Sequence, residues 1–509
     1  MKYYNIISIK ISLFTCLLIL FTSACDNILE PNPRSFTSTA NFYNTPEHFN
    51  LAINGLYGEL RSIVGENYQH MTELRADNVT RHFDINLPAS GSRVIERFEM
   101  PANNSHIENQ WANIYSTISQ ANVIIGRIEN VVFNDETQKN LIVGQAKFIR
   151  AFAYWQAVQF WGDIPVVLKE VTNPNEAFPE DGRLSTEIVY QQIISDLEIA
   201  IDRLPRTWTG SDIGRITEGA AKFLLARTYL LTGEFDNALI ELNELEQFGY
   251  ELLPNYRDIF NPSNKNNLES IFEIQFGSNI TGQPHSDMVR DVLPWNSRGE
   301  IAPTILNPRG RYMPPHNTIE AFENGDEREE ASINWYINSE NAAFPEVAHG
   351  DSIPYYYKFL WLDHINDLGQ DDNNWIVFRY ADVILSKAEA NWKLGNSEEA
   401  TDYINLVRER AGLSELILSD YSGEITGDPL GDAILHERNI ELLGEGHRWL
   451  DLLRFGNNVT LHVMNTYGES RREIDPLASG SYIVEDYMLL YPIPINDVTR
   501  SGLTQNPGW

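Results

Sequence analysis

A spacing of small residues that recurs along the chain constrains its fold more than any other feature. Ala226, Gly233 and Ala238 are matched by Ala388, Gly395 and Ala400, each 162 residues further on. Leu224, Leu225 and Tyr229 precede the first glycine with the 3.6-residue period of an amphipathic helix. A glycine there permits the tight turn that ends one helix and starts the next. The small alanines let the paired helices approach closely. The repeating unit implied is a helical hairpin.

The Leu225-Ala226-x-x-Tyr229, Gly233, Ala238 pattern fits the tetratricopeptide signature. A third echo sets Gly144, Ala146, Lys147 and Phe148 against Gly219, Ala221, Lys222 and Phe223. Helical signals continue elsewhere. Thr45-Pro46-Glu47 reads as a helix start, followed by a stripe of Phe49, Ile53, Leu56 and Leu60. Residues 188–204 place Ile193, Ile194, Leu197, Ile201 and Leu204 on one face, and Pro205 stops that run. Thr217 is placed to cap the helix that follows. The hairpins are dispersed, however. Between them lies a stretch from about 250 to 375, rich in Asn, Pro, Gly and aromatics, in which only residues 270–276 alternate like a strand. A smaller irregular stretch covers 65–104. The expected fold is mostly α, a tetratricopeptide-like hairpin scaffold carrying large loop-rich insertions.

The N-terminus is of a different kind. Lys2 and Lys10 precede an apolar run at 11–21, then Thr22-Ser23-Ala24 and Cys25. A basic start, a short apolar core and small residues make an export signal, too short to span a membrane as a helix. A cysteine directly after the small residues looks like a bacterial lipobox, with Thr22 where leucine is usual. On that reading residues 1–24 are removed, Cys25 is lipidated, and 25–36, with Pro31 and Pro33, form a tether. The chain has two cysteines, Cys16 and Cys25, so the body holds no disulfide framework, cysteine zinc cluster or catalytic thiol. Its net charge of −33 repels phosphate backbones and excludes nucleic acid as the main partner.

The familiar catalytic motifs are missing from the sequence. There is no phosphate loop, no nucleophile elbow and no H-E-x-x-H, and the 11 histidines show no metal-ligand spacing in sequence. Gly444-Glu445-Gly446-His447 follows no strand and is not a dinucleotide fingerprint. Glu437, Glu441 and Glu445 are spaced i, i+4, i+8 on an expected helix. Two of them could act as a glycosidase pair. Three like charges on one face repel and need cations, and Arg438, Arg448 and Arg454 are near in sequence, so a structural ion-pair network is the better reading. The acidic run 363–374 does not match the calcium-loop spacing.

At this point the chain resembles a known family. Ala146-Lys147-Phe148-Ile149-Arg150-Ala151-Phe152-Ala153-Tyr154 followed by Trp161-Gly162-Asp163-Ile164-Pro165 is similar to the signature of the SusD/RagB family of Bacteroidetes outer-membrane lipoproteins. So are Arg215-Ile216-Thr217 with Ala220-Ala221-Lys222, and Arg379-Tyr380-Ala381-Asp382 with Ala388-Glu389-Ala390. Glu437-Arg438 through Gly446-His447-Arg448-Trp449, and the closing Gln505-Asn506-Pro507-Gly508-Trp509, continue the match in family order. The resemblance implies a single SusD-like domain over 37–509, without catalysis and without a cofactor. It implies a cell-surface lipoprotein that captures oligosaccharides or polysaccharides, or peptides in some members. The captured ligand passes to a SusC-like TonB-dependent transporter.

The ligand face is expected in 65–104 and 277–375. Sugar rings stack their C–H faces on exposed aromatics, and polar side chains read the hydroxyls. The aromatic candidates are Trp295, Tyr312, Trp335, Tyr336, Trp361 and Trp375. The polar ones are Arg81, His82, Asp291 and Asn296. Trp111, Trp155, Trp161, Trp392 and Trp449 are assigned to the core.

Overall fold

The computed structural model describes residues 42–81, 91–173, 182–277, 284–337, 352–474 and 480–509. The signal, the tether and Cys25 therefore lie outside the described residues, as does His82. Among the described residues no helix is long and apolar enough to cross a membrane.

The chain begins with α1 (Pro46–Ile63) and α2 (Glu66–Thr72). Thr45 caps α1 by accepting from the His48 backbone N–H, with Pro46 in the first turn. Phe49, Ile53, Leu56 and Leu60 are all buried, as the stripe predicts. Then come α3 (Ser105–Arg127), α4 (Glu136–Trp161), α5 (Thr186–Arg203), α6 (Glu218–Thr232) and α7 (Phe235–Glu244). After the insertion follow α8 (Tyr380–Leu394), α9 (Ser397–Arg410), α10 (Pro429–Glu441), α11 (Arg448–Phe455) and α12 (Asn457–Ile474).

Both hairpin glycines behave as their spacing requires. Gly233 ends α6 at φ 77° and Gly395 ends α8 at φ 83°, each a left-handed cap. No atom lies within 4 Å of where a side chain would start at either, so backbone conformation and not crowding demands glycine. Ala238 and Ala400 are fully buried between their paired helices. The hairpins are dispersed in sequence yet contiguous in space. Helices α4 to α9 pack one on the next, and α8 lies directly against α7 despite the 135 residues between their facing ends, 245–379.

A short antiparallel ribbon makes that return possible. Strand β1 (Ser270–Ile274) pairs with β4 (Trp375–Arg379), so the two ends of the insertion leave and rejoin the scaffold side by side. Closing a long loop costs little more than closing a short one, so the scaffold tolerates the inserted length. Inside the insertion, β2 (Ile333–Ile337) pairs with β3 (Ser352–Tyr356). The described helices there have at most six residues. Val289, Leu293, Ala302, Ile305, Met313, Tyr336, Ile353, Tyr355 and Leu360 give the insertion a small core of its own. The main core runs through the helices; Trp111, Trp155, Trp161 and Trp449 are buried in it, and Trp392 packs on its edge, stacked 5.6 Å from Phe455.

Candidate functional site

The three glutamates at 437, 441 and 445 are buried, and each is met by cations. Arg328 Nη1 reaches Glu437 Oε1 at 2.5 Å and Glu441 Oε2 at 3.0 Å. Arg379 Nη1 lies 2.5 Å from Glu441 Oε1, and its Nε lies 2.7 Å from Glu445 Oε2. Arg410 also pairs with Glu441. Lys358 Nζ donates to Glu445 Oε1 at 2.8 Å. Burial works against the Glu441 carboxylate, yet Arg410, Arg379 and Arg328 together hold its pKa well below the usual range. For Glu437 burial outweighs Arg328 and raises the pKa.

The ion-pair reading holds, but two parts of the expectation change. First, α10 ends at Glu441, and Glu445 sits in the following turn, where Gly444 and Gly446 take φ of 73° and 88°. Second, the partners are not Arg438, Arg448 and Arg454. Those serve a neighbouring buried network: Arg438 with Asp382 and Asp451, Arg454 with Asp451 and Glu389, and Arg448 with Asp77. The glutamates instead take cations from the insertion (Arg328, Lys358), from β4 (Arg379) and from α9 (Arg410). The network thus locks the insertion and its neck onto α10. At 1% exposure or less, Glu437 and Glu441 are closed to any substrate.

The expected ligand face divides sharply by burial. Trp335 is 37% exposed on β2, whose inward neighbour Tyr336 is 6% exposed and sits in the insertion core. Tyr336 donates its hydroxyl to Glu300 Oε2 at 3.0 Å. Trp295 packs half-buried against the same core with the Arg298 guanidinium 5.2 Å from its ring. Trp361 is also half-buried; Arg257 lies 4.2 Å above it and 3.7 Å from Tyr357. Tyr312 and Trp375 offer no open ring. Tyr312 is buried with its hydroxyl 2.9 Å from His70 Nδ1, and Trp375 is buried within β4 rather than lying in a loop.

Among the polar candidates, Asn296 is buried, and Arg81 donates to Ser92 Oγ at 2.5 Å. Asp291 is buried, accepts from Arg309 Nη1 at 3.1 Å, and has its pKa pushed up to about 6 by burial. Asp291 and Trp375 share a cavity of about 190 Å³ with Arg61, Glu66, Asp287 and Arg309. The short helix Met288–Val292 that supplies Asp291 also feeds Val289 into the insertion core, so cavity and β2–β3 ribbon rest on one foundation. Residues 71–80 are all buried, so little of the 65–104 stretch before Arg81 can face a ligand.

Two features escaped the sequence. A larger groove of about 630 Å³ lies off the insertion, between α3 (Trp111, Tyr115, Ile118), the Pro165–Val167 strip and Pro494. And Glu66, His70 and His106, without metal spacing in sequence, come within 4.8 Å of one another through one ligand atom each. The i, i+4 step from Glu66 to His70 was the only sequence signal for the latter, because His106 arrives from another helix.

A continuous stack of helical hairpins, interrupted by a self-cored insertion and locked by buried ion networks, defines a helical-repeat scaffold with one loop-bearing side. The chain belongs to the SusD/RagB family. The family model described as SusD family matches residues 334–509, and the one described as starch-binding associating with outer membrane matches 32–230. A SusD-like protein of Formosa agariphila is 30% identical over 498 residues, covering 90% of each chain. Among solved structures, a laminarin-binding SusD-like protein aligns with a TM-score of 0.74 at 24% identity, over 92% of this chain and 100% of the other. A surface glycan-binding protein A from Bacteroides thetaiotaomicron gives 0.73 at 21%, over 92% and 100%.

Proposed function

We propose that this protein is a cell-surface glycan-binding lipoprotein, anchored to the outer membrane through Cys25. It captures oligosaccharides without catalysis and delivers them to a SusC-like TonB-dependent transporter. The observation that carries this reading is the similarity, over nine-tenths of both chains, to a SusD-like protein. The names of the laminarin-binding and surface glycan-binding structures on the same fold support a glycan as the cargo.

The aromatic platform is Trp335, with Trp295 and Trp361 beside the insertion core, and Tyr312, Tyr336 and Trp375 serve packing. Asp291 and Asn296 are buried and serve packing, which leaves the half-buried Arg81 as the polar group of the expected set that a ligand can reach. A cavity of about 190 Å³ is smaller than the roughly 300–1,000 Å³ of sites that enclose drug-sized ligands. It is too small to enclose an oligosaccharide, so the glycan lies across the exposed tryptophan instead of entering the cavity. A net charge of −33 favours neutral glycans over uronates or sulfated chains. Calorimetry with laminarin and starch oligosaccharides, with a peptide library as control, tests the reading. Saturable binding of a glycan without turnover is the expected result. Binding confined to peptides, or cleavage of the glycan, would overturn it.

A further inference from the structure

We propose that Glu66, His70 and His106 form a transition-metal site, of the zinc type, that clamps α2 to the first turn of α3. The three side chains converge from two helices, with one ligand atom of each within 4.8 Å of the others. Glu66 and His70 stand one turn apart on α2, and His70 Nε2 already lies 3.3 Å from Glu66 Oε1. A tetrahedral ion with bonds of 2.0–2.1 Å places its donors about 3.4 Å apart. That pair is therefore pre-set, and the half-exposed His106 ring closes the triangle by rotating toward it.

The surroundings have the form of an outer shell. Asn67 Oδ1 lies 2.9 Å from His106 Nδ1. An amide oxygen only accepts, so Nδ1 carries the proton and Nε2 keeps the lone pair. Tyr312 Oη lies 2.9 Å from His70 Nδ1 and accepts its proton in the same way once Nε2 holds an ion. Arg311 Nη1 takes the other Glu66 oxygen at 2.7 Å, leaving Oε1 for the ion. Two imidazoles and one carboxylate suit zinc and its neighbours; calcium and magnesium prefer all-oxygen sets. Glu66 is 44% exposed, so water can complete the coordination from the solvent side. Through Arg311 and Tyr312 the ion would seat the 309–313 run of the insertion on the scaffold, which the Thr80–Met313 bridge already touches.

The test uses the full chain without an affinity tag, stripped with a chelator and titrated with zinc chloride by calorimetry. Cobalt chloride serves as the optical probe. The expected results are one zinc per chain, a visible cobalt band, and no response to calcium. His106→Ala and Glu66→Gln should each lose at least the 10–100-fold that outer-shell changes alone cost. Both positions are partly exposed, so these variants should fold. Tyr312→Phe should lose affinity within that range while keeping the stoichiometry. A wild type that binds no zinc would overturn the proposal, as would a His106→Ala variant that binds it equally tightly. Neither result bears on glycan binding, which none of the three ligands is proposed to contact.

Discussion

Arg328, from the insertion, places its guanidinium 3.0 Å from Glu441 at the end of α10, with both side chains sealed from solvent. The two residues are 113 apart in sequence. Arg379 and Arg410 reach the same carboxylate, so one side chain joins the insertion, its neck and the second hairpin. Removing one partner of a buried ion pair costs about 3–5 kcal/mol, because the charge left behind has no compensation. Glu441→Ala should therefore lower the melting temperature markedly. In protein that still folds, the glycan dissociation constant should change little. Calorimetric melting and glycan titration of the same preparation check this, and lost binding at full stability would refute the structural role.

This network also shows what the sequence could and could not reveal. The i, i+4, i+8 glutamates demanded cations, and that much was legible. Which cations was not, because Arg438, Arg448 and Arg454 are near in sequence but turn toward Asp451, Asp77 and Glu389. The hairpins were legible because Gly233 and Gly395 are a local signal, a left-handed cap that any sequence must supply with a suitable residue. Their stacking was hidden, because the β1–β4 ribbon that joins the insertion's ends is made by residues a hundred apart. The expected ligand face was hardest. Trp335 and Tyr336 are adjacent aromatics on one strand, and only the pleat decides that one faces solvent and the other the core.

Protonation of a buried imidazole gives a second expectation. His447 is buried beside Asp382 and Arg227, and burial chiefly lowers its pKa to about 4, against about 6.5 when unfolded. Its contribution is present in full above pH 6.5. It is lost as pH falls toward 4, because only the unfolded chain binds the proton there. The slope from this one group is about 1.4 kcal/mol per pH unit. In urea unfolding at pH 7, 6 and 5, His447→Gln should show a shallower loss of stability than the wild type. Parallel pH dependences would mean the histidine titrates alike in both states.

The proposed anchoring rests on Cys25. The basic, apolar, small-residue, cysteine order motivates it. Cys25→Ala should abolish labelling by a palmitate analogue and release the protein from the outer-membrane fraction. Retention and labelling equal to the wild type would show that something else holds it.

The site itself is tested by contrasting tryptophans of the same insertion. Trp335 is 37% exposed on the outer face of the β2–β3 ribbon, whereas Trp375 is 6% exposed inside the neck. Truncating an aromatic anchor at the heart of a binding site typically costs at least about 2 kcal/mol. That is roughly thirtyfold in affinity, since 1.4 kcal/mol is tenfold. Trp335→Ala and Trp295→Ala should weaken glycan binding on that scale while the melting temperature moves little. Trp375→Ala should do the reverse: a large buried side chain lost from a core costs about 3–5 kcal/mol in stability. Each variant is measured by both glycan titration and thermal melting, so a site residue and a packing residue give opposite signatures. If Trp335→Ala and Trp295→Ala both keep full affinity, the insertion is not the ligand face. The groove between α3 and the Pro165–Val167 strip, lined by Trp111 and Tyr115, then becomes the surface to mutate.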